Sequence, residues 1–170
     1  KLYSQLIGMP VFDEYAATSI ALVRDIILDP ENGNVLAFAI KNEHIIVPID
    51  IERLGSNLVI KERSHIVPMD EVLRVAEVAR RNVRIIGARV ITQHSKTYLG
   101  RVVDYEIDTR AMMLTAIHVA KTFLFFHFSE KIIPHRAIVK INRDTIVVKD
   151  TRTTAAVKEK ARAPSSAFAA

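Results

Sequence analysis

The stretch QLIGMPV at residues 5–11 returns as RIIGARV at 84–90, an offset of 79 positions in a chain of 170 residues. At that offset Leu6-Ile7-Gly8 falls on Ile85-Ile86-Gly87, and Val11 falls on Val90. Further along, Thr18 meets Thr97, Val23 meets Val102, Asp25 meets Asp104 and Asp29 meets Asp108. A one-residue deletion then brings Leu36 to Leu114, and about eight extra residues enter the second half before Pro48 meets Pro134. Each half closes on a β-rich run, NLVIKE at 57–62 and DTIVVKD at 144–150. Chance supplies two or three such matches, but not all of them in order. The chain reads as two tandem copies of one unit.

Each copy reads as strands. TSIALVRDIIL (18–28) and TYLGRVVDYEI (97–107) are rich in β-branched and aromatic residues, the composition that suits a pleated surface. In the second run the period of two puts Arg101, Val103, Tyr105 and Ile107 on one face. DPENGN (29–34) is a turn: Pro30 fixes φ, and Asn32 and Gly33 tolerate the left-handed region that a hairpin connection needs. VLAFAI (35–40) and HIIVPI (44–49) follow as strands. Five or six short strands per copy suit a small closed barrel, since closure removes the edges that a small open sheet would expose. Between the copies, VPMDEVLRVAEVARRNV (67–83) predicts a helix with Met69, Val72, Leu73, Ala76 and Ala79 on one stripe. Asp70 and Glu71 stand at its positive end, Arg80 and Arg81 at its negative end, and Asn82 suits a left-handed cap. The expected organisation is a first unit over 1–66, a joining helix over 67–83, a second unit over 84–150 and a flexible basic tail over 151–170.

Composition narrows the chemistry. The chain has no cysteine, which excludes disulfides, thiolate metal sites and cysteine nucleophiles and fits a reducing, cytoplasmic setting. No apolar run approaches the roughly 20 residues of a membrane span, so no stable membrane insertion is expected. The net charge of +5 is uneven. Residues 1–84 hold 10 Lys and Arg against 12 Asp and Glu, residues 85–150 hold 10 against 6, and the last twenty hold 4 against 1. Basicity belongs to the second copy and the tail.

The pattern LIGMPVFDEYAATSIALVRDIILDPENGNVLAFAI followed by IIVPIDIERLGSNLVI resembles the PRC-barrel family. That family is named for the photosynthetic reaction-centre H subunit and is shared with the ribosome maturation factor RimM. The second copy keeps IIGARV, LGRVVDYEID and KIIPHRAIVKI but has DTRAMM where the first has its D-P-x-x-G turn. The resemblance implies a mainly β protein of two tandem small PRC-like barrels, used as an adaptor that holds a protein partner or assembly rather than as an enzyme. It also leaves two other roles: ribosome or RNA maturation through the basic second barrel, and a peripheral place in a photosynthetic or cell-division membrane complex.

Individual residues point the same way. Gly8, Gly87, Gly33 and the repeated Asp25, Asp104, Asp29 and Asp108 read as structural turn and repeat positions. Carboxylates four apart on a strand lie about 13 Å apart, too far to share one cation. The six histidines show no metal-binding spacing, and neither G-x-S-x-G nor S-x-x-K occurs, so no catalytic residue, metal or cofactor is expected. TFLFFHF (122–128) is apolar on both faces of a strand and wants cover outside a barrel. Phe123, Phe125, Phe126 and Phe128, with the neighbouring His135 and Arg136, are therefore the candidate partner surface, or the seam of a homodimer. Lys131, Arg136, Lys140 and Arg143 are the candidate nucleic-acid contacts.

Overall fold

The computed structural model describes residues 1–15, 18–123 and 126–150; the side chains of 122–129 and the whole of 151–170 lie outside that description. The molecule is mainly β and its two halves follow the same plan. The first copy contains α1 (Tyr3–Leu6), β1 (Pro10–Asp13), β2 (Ala21–Leu22), β3 (Asp25–Leu28), β4 (Val35–Ala39), β5 (His44–Ile46), β6 (Ile51–Leu54), β7 (Leu58–Ile60) and β8 (Val67–Pro68). Then come α2 (Leu73–Arg80) and the second copy: β9 (Arg89–Thr92), β10 (Tyr98–Asp108), β11 (Met113–Phe123), β12 (Phe126–Pro134), β13 (Ile138–Ile141) and β14 (Thr145–Val148).

In the second copy the strands form one sheet in the order β12-β11-β10-β9-β14-β13. In the first, the corresponding strands split into β2-β1-β7-β6 and β3-β4-β5, the latter extended by β8. The split falls at Val23–Arg24. Val23 bonds back to the first sheet through Met9, while the amide of Arg24 donates to Ala39 in the other. The single strand expected over 18–28 is therefore broken in two. The second copy takes the same bend without breaking, as an irregularity between Val102 and Asp104. This bulge shifts the alternation. Val102, Tyr105 and Ile107 face the core, whereas Val103 is 40% exposed, so Val103 does not share the face of Tyr105 and Ile107 as simple alternation predicts.

Strand register gives the true correspondence of the copies. Leu28 pairs with Val35 and Ile27 with Ala37; Ile107 pairs with Leu114 and Glu106 with Ala116. Val35 thus corresponds to Leu114 and the offset of 79 runs on without a deletion. Gly33, at φ +79, corresponds to Met112, which takes φ 48 in a turn where the second copy has no glycine. After the hairpins, Phe38 pairs with Ile46 and Ile117 with Ile133. That register sets Val47 against Pro134 and Pro48 against His135, so the two prolines are not equivalent. The extra residues of the second copy lengthen the β11–β12 hairpin.

The helix is shorter than its sequence signal. Val67–Pro68 is spent as β8, antiparallel to β5, and Met69–Glu71 form a 3-10 turn. With the helix starting at Leu73, Val75, Ala76 and Val78 are buried and Leu73 is 72% exposed. Asn82 takes the left-handed conformation after it, as expected.

The copies do not stand apart. One apolar cluster draws Leu6, Val11, Phe38 and Leu58 from the first and Val90, Tyr105, Ile117 and Ile146 from the second. Their two equivalent turns pair with each other. Asn34 bridges Met113, the Val35 amide donates to Met112 at 2.8 Å, and the Leu114 amide donates to Gly33 at 2.8 Å. Each bond maps onto the other under the repeat, which is a local two-fold. The amino-terminal segment adds a second tie. Lys1 exchanges backbone bonds with Ile107, the Ser4 hydroxyl donates to Asp104 at 2.6 Å, and the Tyr3 hydroxyl donates to Asp25 at 3.2 Å.

Candidate interaction surface

The repeated aspartates build the frame. Asp25 and Asp104 each accept the following backbone amide at 2.8 Å, from Ile26 and Tyr105 respectively, and both hold α1. Asp29 accepts the Glu31 amide, and Asp108 accepts the amides of Arg110 and Ala111. Asp29 does more. It is buried, and the Arg74 guanidinium of α2 reaches both its oxygens at 2.8–3.1 Å. Arg74 also meets Glu31 at 3.0 Å, and Arg81 meets Glu31 at 2.9 Å. The hydrogen bond from Arg81 and the charge and hydrogen bond of Arg74 hold the Glu31 carboxyl below its usual range. The first hairpin turn is thus clamped to α2.

That clamp lays α2 over the outer face of β3, β4 and β5. Val75 packs there with Ala37 and Ile45, flanked by Ile27, Ala39 and Val47. Register carries this face onto the second copy position by position. Ile27 becomes Glu106, Ala37 becomes Ala116, Ala39 becomes His118, Ile45 becomes Ile132 and Val47 becomes Pro134. Among the described residues no helix covers the second face. Ile45 is 0% exposed; Ile132 is 61% exposed. The edges differ as well. β8 seals the free edge of β5, whereas β12 is the last strand of its sheet among the described residues.

The polar exchange on this face creates a cluster. His118 on β11 lies between Glu130 on β12, Nδ1 to carboxylate 2.6 Å, and Glu106 on β10, Nε2 to carboxylate 2.9 Å. Burial pulls the imidazole pKa down, but the hydrogen bonds and charges of the two glutamates outweigh it and raise it above the ordinary value. The sequence offers one faint signal for this trio. Glu106 and His118 are polar where their counterparts in the first copy, Ile27 and Ala39, are apolar, while Glu130 falls on another glutamate, Glu43.

The other candidate residues are dispersed. Phe123 ends β11 opposite Phe126 of β12, and Phe128 stands opposite Lys121. The side chains of Phe123, Phe126 and Phe128, and all of Phe125, lie outside the described residues. His135 is half-buried, with its ring against the first copy's turn: a Cβ on Gly33 would stand 2.6 Å from its Nε2. Arg136 is exposed beside it, as are Lys131 on β12, Lys140 on β13 and Arg143. A cavity of about 490 Å³ lies where the copies meet, lined in part by Tyr3, Asp25, Val78, Arg84 and Tyr105. Burial, then the charge and hydrogen bond of Asp25, push the Tyr3 phenol up to about 12, and burial raises Tyr105 as well. Neither phenol serves as a base at ordinary pH. Among the described residues no group of three His, Asp or Glu side chains is placed to hold a metal ion, and no helix is long and apolar enough to cross a membrane.

The model of the PRC-barrel domain matches the chain twice, over residues 1–81 and 77–154. The chain belongs to the PRC-barrel family. The first match runs through α2, so in this tandem PRC-barrel protein the helix stands inside the span of the first domain. Comparison with the curated proteins returned no match.

Proposed function

We propose that this tandem PRC-barrel protein is a non-catalytic adaptor, working in the cytoplasm, that holds a protein partner on the outer face of its second copy and along the edge of β12. The observation that carries this reading is the contrast at one structural position: Ile45 is sealed under α2 and Ile132 stands open. An apolar side chain on a strand edge that no described strand pairs is suited to strand addition, in which main-chain bonds supply affinity and side-chain pockets supply selectivity. Membership of the family supports it, because PRC-barrel domains are known as interaction modules. The ionisable clusters support it too: Asp29 is engaged by Arg74, and His118 by Glu106 and Glu130.

The test is capture of partners from native lysate by tagged full-length protein and by an Ile132→Asp variant, with salt washes and nuclease controls. A salt-resistant, nuclease-insensitive protein retained by the native chain and lost by the variant is the expected result, provided the variant keeps its fold by circular dichroism. Material released by nuclease, with affinity falling steeply in salt, would replace the adaptor reading with RNA or ribosome binding.

A further inference from the structure

The repeat places a hydroxyl where the fold does not ask for one. Tyr105 stands at the offset of 79 from Ile26, and each gives its amide to the aspartate before it. Ile26 fills its place in the core with carbon alone. Tyr105 is 2% exposed and packs on Tyr3, ring centroids 4.8 Å apart, yet its hydroxyl has no hydrogen-bond partner among the described residues. Nor is that hydroxyl sealed away, for the one sealed and unpartnered side-chain polar atom among those residues is His65 Nδ1. It opens on the cavity of about 490 Å³ that Tyr105 lines between the copies. Sites for small molecules measure about 300–1,000 Å³ and join apolar walls to a few polar groups.

The polar groups of this cavity are unequally spent. Asp25 is held by the Ile26 amide and the Tyr3 hydroxyl. Arg84 also lines the cavity, and its side chain pairs with no carboxylate among the described residues. Burial and the charge of Asp25 keep the Tyr105 phenol protonated, so it has a hydrogen to give. A guanidinium stays charged and matches the fork of a carboxylate or phosphate. Asp25 repels an anion set beside the phenols, which leaves Arg84 for the charged end of an occupant and Tyr105 for an uncharged oxygen. We propose that the cavity binds a small organic acid: a carboxylate or phosphate on Arg84, an apolar body against Ile26 and Val78, and a neutral oxygen accepting from the Tyr105 hydroxyl. Its occupant touches both copies and α2 at once. The site is separate from the outer face of the second copy and does not rest on the adaptor reading.

The test titrates purified full-length protein with anilinonaphthalene sulfonate, an apolar body carrying one anion, and follows its fluorescence. Octanoate, phenyl phosphate and para-hydroxybenzoate are expected to displace the dye from a saturable site, and octanol at equal concentration is not. Tyr105→Phe is expected to weaken binding of the displacing acids roughly fivefold and Arg84→Gln about tenfold. Ile49→Glu removes an exposed apolar side chain outside the cavity lining and is expected to leave binding unchanged. Without acid, the thermal midpoint of Tyr105→Phe is expected not to fall, because the hydroxyl has no partner to lose; this separates lost binding from lost fold. Displacement by none of the acids, equal competition by octanol, binding indifferent to both cavity substitutions or abolished by Ile49→Glu, or a lowered midpoint for Tyr105→Phe would each overturn the proposal. The titration contains no partner protein, so its failure leaves the adaptor reading standing.

Discussion

His118 carries a pH signature that follows from its two carboxylate neighbours. Its pKa is raised in the folded protein, against about 6.5 in an unfolded chain. The stabilisation from the charged ring is therefore complete below about pH 6.5, above the carboxylate range, and is lost as pH rises through the folded value. Thermal midpoints of the native chain and of His118→Gln, measured across this window, are expected to converge as pH rises. A gap independent of pH would show that the ring is not charged in the fold. The trio was hidden in the sequence because Glu106, His118 and Glu130 lie on three separate strands and meet only through register. Asp108, by contrast, accepts amides of its own turn, a local pattern, whereas the pairing of Asp29 with Arg74 of α2 spans separate elements and left no local trace.

At the scale of elements, α2 is held by packing on the sheet at least as much as by its own turns, for eight residues make a helix of marginal intrinsic stability. Ile45→Ala is expected to cost about 3 kcal/mol, the usual range for emptying a sealed aliphatic site. Val75→Ala removes the opposite half of the same contact, so the double variant is expected to fall short of the summed costs by about 0.5 kcal/mol or more. Strict additivity in urea titrations would mean that helix and sheet do not pack as described. The repeat, the turns and most strands were legible here because alternation and turn residues are local. The break at Val23–Arg24 and the bulge at Val103 were not, since both answer to curvature of a sheet rather than to the residues that bend. The helix start was misread because Met69 and Val72 fit a helical stripe as well as they fit the turn that follows β8.

For the whole molecule, the shared core predicts that two family domains behave as one cooperative unit. Calorimetry of the full chain is expected to show a single transition with equal calorimetric and van't Hoff enthalpies. Two resolved transitions would show that the cluster joining Leu6 and Phe38 to Tyr105 and Ile117 contributes little. No sequence pattern announces that cluster, because repeats report what is alike in two copies and not how the copies touch. The reciprocal bonds between the turns at Asn34 and Met113 have a further consequence. A contact that maps onto itself under a two-fold is the isologous kind that identical subunits form. Two separate chains, each with one copy, could meet through the same bonds as a symmetric dimer. In such a dimer every substitution appears on both sides at once, so a face cannot be sealed on one subunit and left open on the other. Joining the copies in one chain lifts that constraint, and Ile45 beneath its helix, where no helix among the described residues covers Ile132, is an asymmetry that a fused dimer can keep.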